Sequence, residues 1–244
     1  MTPPRSTPSI QLDDVHLSLG RGASRVHILN GISLQIDPGE IVALVGPSGS
    51  GKSTLLMTIA GLEPVDSGAV AVHGQRLGAL GEDDLARFRG RNIGIIFQSF
   101  HLIPTMTALE NVAVPLELAD DKDAWEKAER ELAHVGLGAR LQHYPAQLSG
   151  GEQQRVAIAR AVAPHPPIVI ADEPTGNLDS SNGEQIIDLL FSLKRERGAT
   201  LVIVTHDNDL ASRCDRVIRI RSGHIDHGHH DEVRHGALGE DGAS

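Results

Sequence analysis

The chain has 244 residues, enough for one large domain or two small lobes, and its 32 acidic against 22 basic residues leave a net charge of −10. No basic block stands out, so non-specific attachment to nucleic acid or anionic lipid is disfavoured and any affinity for phosphate has to be local. The single cysteine, Cys214, excludes an internal disulfide, fits a reducing compartment, and reads as a small buried hydrophobe.

Residues 1–9, MTPPRSTPS, place proline where a secretion signal needs an apolar run, and read as a disordered lead-in. From 10 to 36, apolar and polar positions alternate around a Gly/Ser-containing turn, which predicts half-exposed antiparallel strands. After residue 41 the pattern changes to short continuous apolar runs, IVALVG, IGIIF, PIVIAD and TLVIVTH, separated by helical segments. That is the signature of a parallel sheet covered on both faces, with the antiparallel strands as an N-terminal subdomain. The apolar runs are strand-length, well short of the roughly 20 residues that a membrane helix needs.

The first run ends in GPSGSGKST, residues 46–54. Gly46, Gly51, Lys52 and Ser53 fit the G-x-x-x-x-G-K-[ST] pattern of a phosphate loop between a strand and a helix. Backbone N–H groups of Gly46, Ser48, Gly49, Ser50 and Gly51 and the helix start at Ser53 and Thr54 form the candidate cradle, with Pro47 as the loop residue that has no N–H to offer. Lys52 brings a point charge to the β/γ oxygens and Ser53 a hydroxyl for Mg²⁺.

Gln98 closes the second run and is a candidate for touching Mg²⁺ or the attacking water. Residues from about 98 to 165 then turn helical, with Trp125, Ala128, Leu132 and Val135 predicted on one face, and read as a helical lobe inserted into the sheet domain. At its start, SFHLIPTMT exposes Phe100, Leu102, Ile103 and Met106 as a candidate partner surface. At its end, LSGGEQQRVAIARA repeats the logic of the first cradle. Ser149 caps a helix, Glu152 returns the bond, and Gly150 and Gly151 leave the backbone bare for a ligand. The third run delivers Asp172 and Glu173 to a strand end. Asp172 is the candidate Mg²⁺ holder, through water, and Glu173 the general base for an attacking water. His206 closes the fourth run and is a candidate for the γ-phosphate, on the same sheet edge. His224, His227, His229, His230 and His235 crowd the C-terminal segment, five of the 13 histidines, and read as part of a solvated tail.

In this order, the phosphate loop, Gln98, LSGGEQQ, ADE, NLD and His206 resemble the ATPases of the ATP-binding cassette (ABC) transporters, over about residues 10–222. The segments FQSFHLIPTMTALENV and EPTGNLD are most similar to the LolD/MacB/YbbA branch, and to YbbA-type ATPases within it. The resemblance implies a P-loop NTPase domain over 10–226 that binds ATP with Mg²⁺, followed by a flexible His-rich tail at 227–244. It also implies a head-to-tail homodimer in which ATP lies between the phosphate loop of one copy and the LSGGE helix of the other, with Asp179 at the seam. The partner would be an integral membrane permease, with the ATPase peripheral on the cytoplasmic face of the inner membrane and the cargo lipophilic or lipoprotein-like. No nucleic-acid partner is expected: ABC ATPases acting on DNA or ribosomes bring a coiled-coil insertion, a second cassette or a basic surface. The family stacks adenine on an upstream aromatic, whereas VHLSLGRGASRVHI carries Leu19 there, which predicts weaker recognition of the base.

Overall fold

The structure, a computed structural model, describes residues 7–20 and 22–226. Most of the expected lead-in, and the tail from residue 227 on, lie outside the described residues. Ser9, within the stretch read as lead-in, is fully buried, its hydroxyl 3.0 Å from that of Thr200. The packed interior therefore includes a residue ahead of the first strand.

The alternation of 10–36 produces the antiparallel pair β1 (Ile10–Leu19) and β2 (Val26–Ile36). Ile10, Leu12, Val15 and Leu17 face inward from β1, and the register slips between Leu12 and Val15, where Asp14 takes a positive φ of 46°. A bulge there keeps the apolar set on one face after two consecutive aspartates. The chain continues through β3 (Ile41–Val45), α1 (Lys52–Ile59), β4 (Ser67–Val72), β5 (Gln75–Arg76) and α2 (Glu82–Asn92). It then runs through β6 (Ile93–Ile96), α3 (Ala108–Glu117), α4 (Ala124–His134), α5 (Gly150–Val162) and β7 (Ile168–Asp172). The last elements are α6 (Ser180–Arg197), β8 (Thr200–Val204), α7 (Asn208–Ser212), β9 (Arg216–Arg221) and β10 (His224–Asp226). His224 thus belongs to a strand, not to the tail.

Two sheets result. The N-terminal one has the order β2-β1-β4-β5, all antiparallel; the central one has the order β10-β9-β3-β8-β7-β6, parallel except at the β10 edge. One apolar cluster fills the space between the sheets and around α1. A second lies on the opposite face of the central sheet, under α6. A third is the interior of a helical lobe built from α3, α4 and α5.

Helix α5 is shared between lobes: Ile158, Ala161 and Val162 pack into the second cluster, while Val156, Ala159 and Ala163 just beyond it pack into the third. Glu131, in the middle of the apolar stripe of α4, is held by Arg197 at the end of α6 through bonds of 2.9 and 2.8 Å, a buried ion pair that ties the lobe to the sheet domain. The predicted face of α4 needs one correction. Ala124, not Trp125, joins Ala128, Leu132 and Val135 inside; Trp125 sits one residue around the helix, 48% exposed, its indole N–H donating to Glu117 at 3.0 Å. An indole can meet its hydrogen-bonding need at that rim without displacing the small alanine that lets the helices approach.

Candidate functional site

Because β3, β8, β7 and β6 are parallel neighbours, their C-terminal ends open on one edge of the sheet. That edge receives the 46–51 loop from β3, His206 beyond β8, Asp172 and Glu173 from β7, and Gln98 beyond β6. Predicted candidates from four strands are thus brought together.

The phosphate loop depends on glycine. Gly46 has φ 150°, and a methyl group there would fall 2.1 Å from the Ile220 carbonyl of the neighbouring β9. Gly51 caps α1 in the left-handed region, φ 103°. Pro47, Ser48, Gly49 and Ser53 are exposed, whereas Ser50 is buried and its hydroxyl has no partner. The Lys52 ammonium bonds the carbonyls of Gly46 and Pro47, each at 2.9 Å, which folds the charge over the loop. Thr54 lies at the first turn of α1, its carbonyl accepting from the Thr58 hydroxyl at 2.9 Å.

Opposite, Ser53 donates a hydrogen bond to the Asp172 carboxylate. Burial pushes the Asp172 carboxyl above its ordinary range; the Ser53 bond pulls it down in part, the charge of Glu173 adds to the rise, and Lys52 opposes it. A hydroxyl beside a desolvated carboxylate is a hard-oxygen pair that fits Mg²⁺, which keeps water and phosphate oxygens as its remaining ligands. Among the described residues no cluster of three or more His, Cys, Asp or Glu could hold a metal. A raised folded-state pKa means stability present below the ordinary aspartate value and lost as pH rises through the raised one. At pH 7 the ionised Asp172 therefore costs stability, and Asp172→Asn is expected to raise the melting temperature of the nucleotide-free protein by roughly 1–3 °C while removing turnover. A fall in the melting temperature at pH 7 would contradict this.

Glu173 is a non-glycine residue at φ 47°, its N–H bonded to the Val204 carbonyl at 3.0 Å. This twist turns the carboxylate toward His206, whose Nδ1 lies 2.7 Å from Glu173 Oε2. Gln98 is exposed; its carbonyl accepts from Asn177 Nδ2 at 2.8 Å, and its amide lies 2.8 Å from where a methyl group on Gly176 would sit.

The LSGGE segment forms the predicted capping box. The Glu152 N–H donates to Ser149 Oγ at 3.3 Å and the Ser149 N–H to Glu152 Oε2 at 2.8 Å, and Arg140 holds the other carboxylate oxygen at 3.0 Å. The Ser149 bond first, and then Arg140, lower the Glu152 pKa. This leaves the N–H groups of Gly150 and Gly151 pointing out of a helix start. Its neighbours come from the next helix start: a methyl group on Gly151 would lie 2.7 Å from Asn182 Oδ1, and on Gly150 3.7 Å from Leu178. Asp179 caps α6 through Asn182 N–H, Asn182 Nδ2 and the Ser181 hydroxyl, which lowers its carboxyl to about 2. Its stabilising effect is present above the ordinary aspartate value and is lost only as pH falls through about 2.

Sequence reasoning passed over three polar residues that organise this edge: Asn177, Arg160 and Gln154. The Gln154 amide is fully buried and donates to the Pro174 carbonyl at 2.7 Å, which joins α5 to the loop carrying Glu173. Its signal was a polar side chain in register with Ile158 and Ala161 on a buried stripe. Leu19, where the resemblance implies a base-stacking aromatic, is 38% exposed, and its cross-strand partner Val26 is 57% exposed.

A sequence profile described as ABC transporter matches residues 29–176. The chain is 51% identical over 223 residues to the ABC transporter ATP-binding protein YbbA of Escherichia coli K12, covering 89% of this chain and 98% of that one. It is 47% identical over 228 residues to the lipoprotein-releasing system ATP-binding protein LolD of Anaeromyxobacter dehalogenans, covering 92% and 95%. Among solved structures, the ATP-binding cassette MJ0796, a dimer in a post-hydrolysis state with ADP and Pi, superposes with a TM-score of 0.83 at 41% identity over 88% of this chain and 96% of that one.

Proposed function

We propose that this chain, which belongs to the ABC transporter family, is an ATP-binding, ATP-hydrolysing subunit that works with a membrane permease and pairs head to tail with a second copy of itself around two ATP molecules. The observation that carries this reading is the presence of two separately built helix-start cradles in one chain. The 46–54 loop belongs to the edge holding Asp172, Glu173, Gln98 and His206, while the Ser149 helix start is built against Asn182 and Leu178 and leaves its N–H groups free. One chain then serves two sites, one with each cradle.

In this mechanism Lys52 and the loop N–H groups of 46, 48–51 and 53–54 hold the phosphates. Ser53, Asp172 and Gln98 would hold Mg²⁺, which neutralises charge on the phosphate oxygens when bound. Glu173 accepts the proton of the attacking water, and His206, 2.7 Å from it, orients the carboxylate and reaches the γ-phosphate side. Across the seam, Ser149 and the N–H groups of Gly150 and Gly151 add a second helix dipole at the γ-phosphate, with Glu152 fixing the turn and Asp179 linking the two sites. ATP therefore joins the copies where ADP leaves the second cradle unfilled.

The domain runs from about 10 to 226. Among the described residues no helix is long and apolar enough to cross a membrane. We place the subunit on the cytoplasmic face, peripheral through its permease. Of the segment read as a partner surface, Phe100 is half-buried and Ile103 37% exposed, while Leu102 packs on the helical lobe. Kinship with a lipoprotein-releasing ATPase favours export or extraction of a lipophilic, lipoprotein-like cargo. Glu173→Gln used as bait on detergent-solubilised membranes tests the assignment: ATP with Mg²⁺, and not ADP, is expected to retain one polytopic membrane protein. Recovery of soluble or ribosomal proteins alone would overturn it.

A further inference from the structure

Arg160 lies on the last turn of α5, at the far end of the helix from Ser149, and takes no part in the chemistry described so far. It is half-buried, and burial pushes its guanidinium below the ordinary arginine range with no carboxylate to compensate. Its partners are two main-chain oxygens: Nη1 donates to the His101 carbonyl at 2.6 Å and Nη2 to that of Phe100 at 2.8 Å. Both acceptors belong to consecutive non-glycine residues in the left-handed region, φ 57° at Phe100 and 49° at His101. Such a backbone persists only where its surroundings over-determine it. The planar fork of arginine, with donors at fixed spacing, is suited to gripping two successive carbonyls, and a charged donor makes both bonds strong.

The gripped peptides sit in the loop that carries Gln98. Upstream, Asn177 holds the Gln98 carbonyl. Downstream, the buried Asn111 of α3 accepts from the Ile103 N–H at 2.7 Å and donates to the carbonyls of Ile103, Met106 and Thr107 at 3.1, 3.0 and 2.9 Å. Phe97 and His101 close the turn with their rings edge to face, 4.7 Å apart. The loop is thus fastened at one end to the Glu173 side, at the other to α3, and in the middle, at its two left-handed residues, to α5 by Arg160.

We propose that Arg160 is a positioning residue that makes the Gln98 loop travel with helix α5, so that Gln98 at one nucleotide site and the Ser149 cradle at the other change position together. The inference rests on the assignment of Gln98 and Ser149 to two different ATP sites. Arg160 touches neither nucleotide nor water in this account; it acts through Phe100 and His101.

The test is steady-state ATP hydrolysis by the full-length protein with Mg²⁺, comparing Arg160→Met, Gln98→Ala and the double variant. Arg160→Met is expected to lower kcat about tenfold with KM for ATP changed less than about twofold, and to bring the Hill coefficient for ATP toward 1. The double variant is expected to be no slower than the slower single, because both act on the same group. Multiplied losses in the double, or an unchanged kcat and Hill coefficient in Arg160→Met, overturn the inference. If Gln98→Ala alone leaves kcat unchanged, the reading of Gln98 falls and the inference falls with it. Should Arg160→Met fail to fold, judged by melting and nucleotide binding, Arg160→Lys carries the comparison: a lysine cannot span both carbonyls, so turnover drops. Adding His101→Gly, which takes a positive φ without strain, then restores it by several-fold. No restoration overturns the inference.

Discussion

Replacing Glu173 with glutamine is expected to cut phosphate release by about 10²- to 10⁴-fold while leaving ATP binding intact. The substitution preserves size and the contact with His206, 2.7 Å away, but removes the carboxylate proposed as proton acceptor beside Asp172. The backbone twist at Glu173, φ 47°, is set by the N–H bond to Val204 and does not depend on the carboxylate, so the variant keeps its loop. With hydrolysis blocked, ATP stays between the two copies. Size-exclusion chromatography is expected to show a dimer with ATP and Mg²⁺ and a monomer with ADP. Equal phosphate release by wild type and variant would remove Glu173 as the base.

The second large effect comes from mixing two inactive proteins. Lys52→Met removes the charge folded over the phosphate loop, and Ser149→Arg fills the α5 helix start with a bulky cation; each homodimer is expected to be inactive. In a heterodimer of the two, one composite site carries both lesions and the other carries neither. An equimolar mixture is expected to regain activity, toward about a quarter of wild type for random pairing with independent sites. If each chain completed its own site, every site in the mixture would hold one lesion and no activity would return. The same experiment thus reads the head-to-tail arrangement without a structure of the dimer.

The gathering of the candidate residues at one sheet edge was readable because parallel strands write it in a simple form: an apolar run followed by a polar residue. Asp172, Glu173, His206 and Gln98 all follow that rule, and the capping box at Ser149 and Glu152 follows from side-chain spacing alone. Residues that act on carbonyls were not readable in the same way. Arg160, Gln154 and Asn177 bond the main chain of Phe100 and His101, Pro174 and Gln98, and a carbonyl has no residue type to betray it. Trp125 was misplaced for a different reason. Periodicity fixes a helix face to within one residue, and whether an indole or an alanine takes the inside is decided by how closely α3 and α4 approach.

Helix α5 contributes side chains both to the cluster under α6 and to the interior of the helical lobe. The lobe therefore cannot be lifted away from the sheet domain without uncovering the second apolar face of α5. An excised helical fragment would expose Ile158, Ala161 and Val162 to water, and heat or denaturant has no clean seam along which to melt the lobe first. An insertion that looks modular along the sequence is, in folding terms, not separable: its central beam is also a beam of the enzyme around it.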